Sequence, residues 1–206
     1  MPAGFTIVTG PALGLPLTNV DTDQLIPARF MSTPRDQGYG PFLLHDLRRC
    51  SDGSLDPTFP LNTPTARGAV VLVTGDNLGC GSSREAAVYA LADSGFRGLI
   101  APSFGDIFYA NALKNGVLPI RLSDEVVSSL LADLAIHPGA AVTIDLPQQS
   151  VRLPDGTLHR FAIDGFRKSM LVDGQDELSL TLSLDDAISA YEMDQTDEDA
   201  SPAHGC

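Results

Sequence analysis

From Ala69 to Leu146 short apolar runs alternate with longer mixed segments. The runs are "AVVLVT", "RGLIAP", "VLPIRL" and "AVTIDL"; the segments between them are "SSREAAVYALADSG", "SFGDIFYANALKNG" and "SDEVVSSLLADLAIH". A β-branched run without polar alternation fits a strand covered on both faces. The first two intervening segments close on a glycine, a usual helix stop, and the third opens on Ser123 with Glu125 nearby, a usual helix start. Strand–helix alternation with short links requires a sheet at least partly parallel, with helices packed on it. The fold class is therefore α/β, with added β elements.

Those additions lie at both ends. "QSVRLPDGTLHRFAI" reads as a hairpin turning at Asp155-Gly156, and "SLTLSLDDAISAYEM" as a strand and a short helix. Residues 1–66 are rich in Pro and Gly, with apolar pieces around Phe5–Val8, Gln24–Phe30 and Pro41–Leu47. They read as irregular structure with short strands and one short helix. One domain over residues 1–193 is expected, followed by an acidic, disordered tail at 194–206.

Composition removes several functions. A formal net charge of −13 disfavours nucleic acid and anionic membranes as partners. No apolar run is long enough to span a bilayer, and the N-terminus lacks the basic start of a signal peptide, so a cytoplasmic location is expected. Cys50, Cys80 and Cys206 form no CxxC pair and no zinc spacing, which predicts that this chain binds no iron–sulfur cluster or structural metal itself.

The segment "AVVLVTGDNLGCGSSREAAVYALA" (69–92) carries the chemistry. A strand feeding a glycine loop into a helix places unpaired N–H groups and the positive helix end together, which suits an anion. Gly79 and Gly81 let the backbone approach a ligand. Arg84, expected in the first helical turn, reads either as a fork for a carboxylate or phosphate or as a surface ion pair. Ser82 and Ser83 are cap-type residues, though two beside an arginine exceed what a cap requires. "TGDNLGCG" also fits a nicotinamide-enzyme glycine pattern, with Asp93 near the place of a ribose-binding acid. Against that stand its late position, the short remaining chain and the missing Tyr-x-x-x-Lys, Tyr109 and Lys114 being five apart.

"NVDTDQLIPARF" (19–30), "LNTP" (61–64), "GDNLGCGSSRE" (75–85) and "APSFGDIFYANALKNGVLPI" (101–120) together resemble the small-subunit family of 3-isopropylmalate dehydratase, over about residues 5–193. The resemblance implies an aconitase-type swivelling β/β/α domain with a mixed, partly parallel sheet. It implies a hydro-lyase, active only with a large subunit that carries a [4Fe–4S] cluster, isomerising 2-isopropylmalate to 3-isopropylmalate through an isopropylmaleate in leucine biosynthesis. It further implies Ser82 as the base that takes a proton from carbon. Ser83 and Arg84 bind a substrate carboxylate, with Gly81 allowing close approach. Asp23 lines the cleft and orients donors or the serine, an Asx-turn or cap being its alternative. Arg29, Phe30 and Met31 fall in the substrate-discriminating loop, with an apolar surface for the isopropyl group; core packing is an equal alternative for Phe30 and Met31. Ser103 reads as a helix cap, and Asn111 and Asn115 as residues shaping helix ends and loops.

Two positions depart from the family. It usually reads "GSSREHA", and residue 86 here is alanine; its usual tryptophan four residues later is also missing, the local run being "AAVYAL" with Tyr89. Losing an imidazole at the cleft leaves open another small dicarboxylate of the citraconate or citramalate type, or a non-catalytic partner of the large subunit.

Overall fold

The computed structural model describes residues 4–174 together with Thr181, Leu182, Asp185 and Tyr191. Seven strands in these residues form one sheet: β1 (Ile7–Leu15), β2 (Val71–Thr74), β3 (Gly98–Ala101), β4 (Leu118–Arg121), β5 (Ala141–Asp145), β6 (Ser150–Arg152) and β7 (Leu158–Arg160). The order is β4-β3-β2-β1-β5-β6-β7. β1 is the seam. It pairs in parallel with β2 from Ala12↔Val71 to Leu15↔Thr74, and antiparallel with β5 from Ile7↔Asp145 to Pro11↔Ala141. The mixed, partly parallel sheet expected from sequence is present.

The helices are α1 (Thr22–Leu25), α2 (Glu85–Asp93), α3 (Asp106–Lys114), α4 (Asp124–Ile136) and α5 (Gly165–Asp173). Alternate strand residues face opposite sides of a sheet, and this divides the core in two. Leu72 and Leu99 pack with Ala87, Val88 and Leu91 of α2 and with Leu25, Leu43 and Leu44 of the N-terminal third. Val71, Val73 and Ile100 pack with Val127, Leu130 and Leu134 of α4. Both faces are covered, which is why β2 and β3 carry no exposed residue.

Several boundaries differ from the sequence reading. α2 begins at Glu85, with Arg84 as its cap position and no side-chain cap bond, so Ser82, Ser83 and Arg84 precede the helix. Ser103 does not cap α3; Gly105 holds that position. Ser123 is the α4 cap residue as expected, without a cap hydrogen bond to the backbone. The hairpin of β6 and β7 turns at Asp155-Gly156, where the Asp155 carboxylate accepts the Thr157 N–H at 2.8 Å. α5 was not anticipated, although Asp164 accepts the Arg167 N–H at its start and Gly174 ends it in the left-handed conformation. The strand expected at 179–184 lies mostly outside the described residues; Thr181 and Leu182, which are described, are helical. The acidic tail at 194–206, with Cys206, lies outside them too.

Candidate active site

Loops leaving the C-terminal ends of β1, β2 and β3 meet at one end of the sheet, where ligands bind open α/β sheets. Beyond the strands they remain hydrogen-bonded to one another. The Gly75 N–H donates to the Leu17 carbonyl (2.9 Å), Asn19 N–H to Asp76 (2.8 Å), Gly79 N–H to Val20 (2.7 Å) and Thr22 N–H to Cys80 (3.1 Å). On the other side Leu78 N–H donates to Ser103 (3.2 Å) and Gly105 N–H to Leu78 (3.0 Å). The glycine loop is thus clamped between two neighbours. Ser103 adds a side-chain tie, its hydroxyl accepting from the Asn77 N–H at 3.0 Å and donating to Asp76.

The two loop glycines serve different ends. Gly79 has φ +74°, and a Cβ there would lie 2.1 Å from Cγ of Phe108 on α3. Its bareness admits a buried aromatic ring, which corrects the expectation that it admits a ligand. Gly81 has φ +88°, and a Cβ there would meet only Asp21 at 3.5 Å and Thr22 at 4.0 Å. It is exposed, and its left-handed backbone swings the chain toward Ser82.

Ser82 is exposed, yet it is tied from below. The hydroxyl of Thr22, 1% exposed, lies 3.0 Å from the Ser82 carbonyl oxygen and 3.0 Å from its Oγ. The Arg84 N–H also donates to the Ser82 carbonyl, at 2.9 Å. Sequence reasoning passed over Thr22; its place beside Asp23 in "VDTDQ" was the available signal. Arg84 forms an ion pair with Asp23. That guanidinium holds the Asp23 carboxyl below its usual range, chiefly by hydrogen bonding. Asp23 lies in the first turn of α1, and Asp21 is its cap, exchanging bonds with Gln24 in a capping box. The cap alternative thus belongs to Asp21, leaving the Asp23 carboxylate to Arg84.

The structure brings Ser82, Arg84, Asp23 and Gly81 together around α1, with Ser83 exposed between Ser82 and Arg84. Arg29 borders the same region, because a hollow of about 400 Å³ is lined by Asp21, Asp23, Gln24, Arg29 and Asp46 among others. There Arg29 grips the Asp46 carboxylate with both terminal nitrogens. Arg29 first, then His45, hold the Asp46 pKa down at about 2. Phe30 does not line this hollow: it stacks on Phe42 at 4.3 Å and packs against the first core cluster. Met31, 42% exposed, is likewise not part of its wall. Ala86, 7% exposed, belongs to the buried face of α2. Asp93, at the end of α2, pairs with both terminal nitrogens of Arg35 (2.8 and 3.0 Å) and accepts the Tyr39 N–H (2.6 Å), which gives it a structural task. Asn115 bridges the end of α3 to Glu85 at 2.9 Å, a loop-shaping role as expected.

Among the described residues no group of three or more His, Cys, Asp or Glu is placed to hold a metal ion, and the free cysteines there are Cys50 and Cys80. These residues do not fit an iron–sulfur cluster. Nor is any described helix long and apolar enough to cross a membrane.

The Aconitase C-terminal domain model matches residues 3–125, and a second model, described as LeuD_N, matches 128–165. The 3-isopropylmalate dehydratase small subunit of Rhodopseudomonas palustris (strain HaA2) is 49% identical over 188 residues, covering 91% of this chain and 94% of that one. The protein of the same description from Chloroflexus aurantiacus is 48% identical over 185 residues, covering 90% and 92%. A crystal structure of 3-isopropylmalate dehydratase from Methanocaldococcus jannaschii superposes with a TM-score of 0.62 at 29% identity, covering 90% of this chain and 99% of that one. With fold and sequence in agreement over nine-tenths of its length, the chain belongs to the 3-isopropylmalate dehydratase small-subunit family.

Proposed function

We propose that this chain is the small subunit of a two-chain hydro-lyase that isomerises 2-isopropylmalate to 3-isopropylmalate, in the cytoplasm, as a step of leucine biosynthesis. The observation that carries the reading is the placement of Ser82, anchored through Thr22, beside the Arg84–Asp23 pair at the C-terminal end of the parallel strands. A guanidinium fork matches a substrate carboxylate, and exposed Ser83 and the bare backbone at Gly81 leave room for it. Ser82, as alkoxide, takes the proton from the carbon beside that carboxylate and becomes a hydroxyl. The C–H electron pair forms the double bond as hydroxide leaves the neighbouring carbon. Rehydration in the opposite sense returns the proton from Ser82 to the other carbon. Asp23 holds Arg84 in place throughout.

The large subunit is the partner, and its [4Fe–4S] cluster, when bound, supplies a Lewis acid for the departing hydroxyl. Arg29 forms one wall of the cleft next to Asp23, and exposed Met31 is the apolar candidate for contact with the isopropyl group. Phe30 supports that loop from the core side. Another dicarboxylate rests only on the change at residue 86, whereas relatives 48–49% identical carry the isopropylmalate name.

The test is an anaerobic assay of this chain with its cluster-loaded large subunit, offered 2-isopropylmalate, 3-isopropylmalate, citramalate and citraconate, with each chain alone as control. Preferred turnover of the isopropylmalates, only in the mixture, is the expected result. Preference for a smaller acid, or a stable complex silent on all four, refutes it.

A further inference from the structure

We propose that Thr22 is a positioning residue whose hydroxyl switches its hydrogen bond to stabilise Ser82 as an alkoxide; this rests on the isomerase reading above. The argument is a count of protons. A threonine hydroxyl has one proton to donate and lone pairs to accept with. Thr22 Oγ1 lies 3.0 Å from two oxygens of Ser82, the carbonyl and Oγ. The carbonyl can only accept, so with Ser82 neutral the Thr22 proton goes to it and Ser82 Oγ–H donates to Thr22. Once Ser82 has lost its proton to solvent, Oγ can only accept. A rotation about one Thr22 bond then turns the same proton to the alkoxide.

The rotation leaves nothing stranded. The Ser82 carbonyl keeps the Arg84 N–H at 2.9 Å. Thr22 itself is buried, and a charge-assisted bond is stronger than the neutral one it replaces. When Ser82 takes the carbon proton, the bond swings back. The donor is held at fixed distance because the Thr22 N–H is itself bonded to Cys80 in the clamped loop. The charged groups on the segments around Ser82 are Asp21 and Asp23 on the α1 side and Arg84 and Glu85 on its own side. Substitution of Thr22 alters none of them.

The experiment compares Thr22→Val, Thr22→Ser and Ser82→Ala with the wild type, each assembled anaerobically with the cluster-loaded large subunit. Complex formation is measured by size-exclusion and turnover across pH 6 to 10. Thr22→Val is expected to lower kcat about 10- to 100-fold, with KM nearly unchanged and the rising limb of the pH profile moved upward. Thr22→Ser, which keeps the donor, is expected to restore rate and profile to within a few-fold. In the Ser82→Ala background Thr22→Val is expected to cost nothing further. A wild-type rate and profile in Thr22→Val overturns the proposal. So does a Thr22→Ser variant as impaired as Thr22→Val, since packing would then be its role. Should Thr22→Val fail to assemble, Thr22→Ala takes its place in the same comparison. An inactive wild-type complex refutes the isomerase reading itself, whereas an active one with an insensitive Thr22→Val refutes this inference alone.

Discussion

Gly79→Ala and Gly81→Ala form a matched pair, because both residues have left-handed φ, +74° and +88°, in one loop. Forcing a non-glycine residue into that conformation costs roughly 1–2 kcal/mol at either position. Gly81→Ala adds little else, its nearest neighbour being 3.5 Å away. At Gly79 the new methyl would lie 2.1, 2.4 and 2.5 Å from Phe108 ring atoms, starting at the root of the ring, which cannot simply swing aside. Overpacking of that kind adds about 1–3 kcal/mol, so Gly79→Ala is expected to cost about 2–5 kcal/mol in all. Equilibrium urea unfolding of the full chain, followed by fluorescence and circular dichroism, measures both variants. A midpoint shift of about 1–2 M is expected for Gly79→Ala, and about half that, roughly 0.5–1 M, for Gly81→Ala. Phe108→Leu in the Gly79→Ala background should then cost less than it does alone, since it relieves the clash. Equal shifts for the two glycine variants, or additive behaviour with Phe108→Leu, would refute the reasoning.

Three further perturbations probe the site. Ser82→Ala should lower turnover by at least about 10²-fold while the complex with the large subunit still forms; near-normal turnover removes the base assignment. Arg84→Lys should reduce kcat/KM about 10- to 100-fold, because a point charge cannot hold Asp23 and a substrate carboxylate in one plane; unchanged constants would make Arg84 a surface ion pair. Asp46 has its pKa lowered from 3.8 to about 2, so its pairing stabilises the fold above pH 3.8 and is lost as pH falls through 2. Asp46→Asn should therefore be less stable than wild type at pH 5, by under about 1 kcal/mol because the pair is half exposed, and the gap should close toward pH 2. A gap that widens in acid contradicts this.

What the sequence disclosed follows the reach of the signals it used. β2, β3, α2, α3, β4, α4 and β5 were legible because their periodicity is local and both sheet faces are covered. β1 was only partly legible. It carries Pro11 and two glycines, yet sits at the centre of the sheet. Pro11 is tolerated because its carbonyl, which accepts from Val70, faces β2, so the missing N–H faces the same way, one step before that ladder begins at Ala12↔Val71. Pro119 was easier to place: β4 is an edge strand. The helix start was read three residues early, since Ser82 and Ser83 look like caps but are held by tertiary partners. Thr22 was missed for a related reason. Its value lies in a partner sixty residues away, which no local pattern records.

The seam strand sets a timetable for synthesis. β1 is made before the other six strands of the sheet, but the Thr9 hydroxyl meets its partner on β5, Thr143, across 134 residues. Until β5 emerges from the ribosome, one edge of β1 is an open template for pairing with another chain. Pairings so distant form slowly and leave nascent protein exposed to aggregation. A ribosome stalled before residue 141 would therefore hold an unfinished sheet, and cells short of chaperones should lose this chain ahead of proteins whose central strands pair with near neighbours.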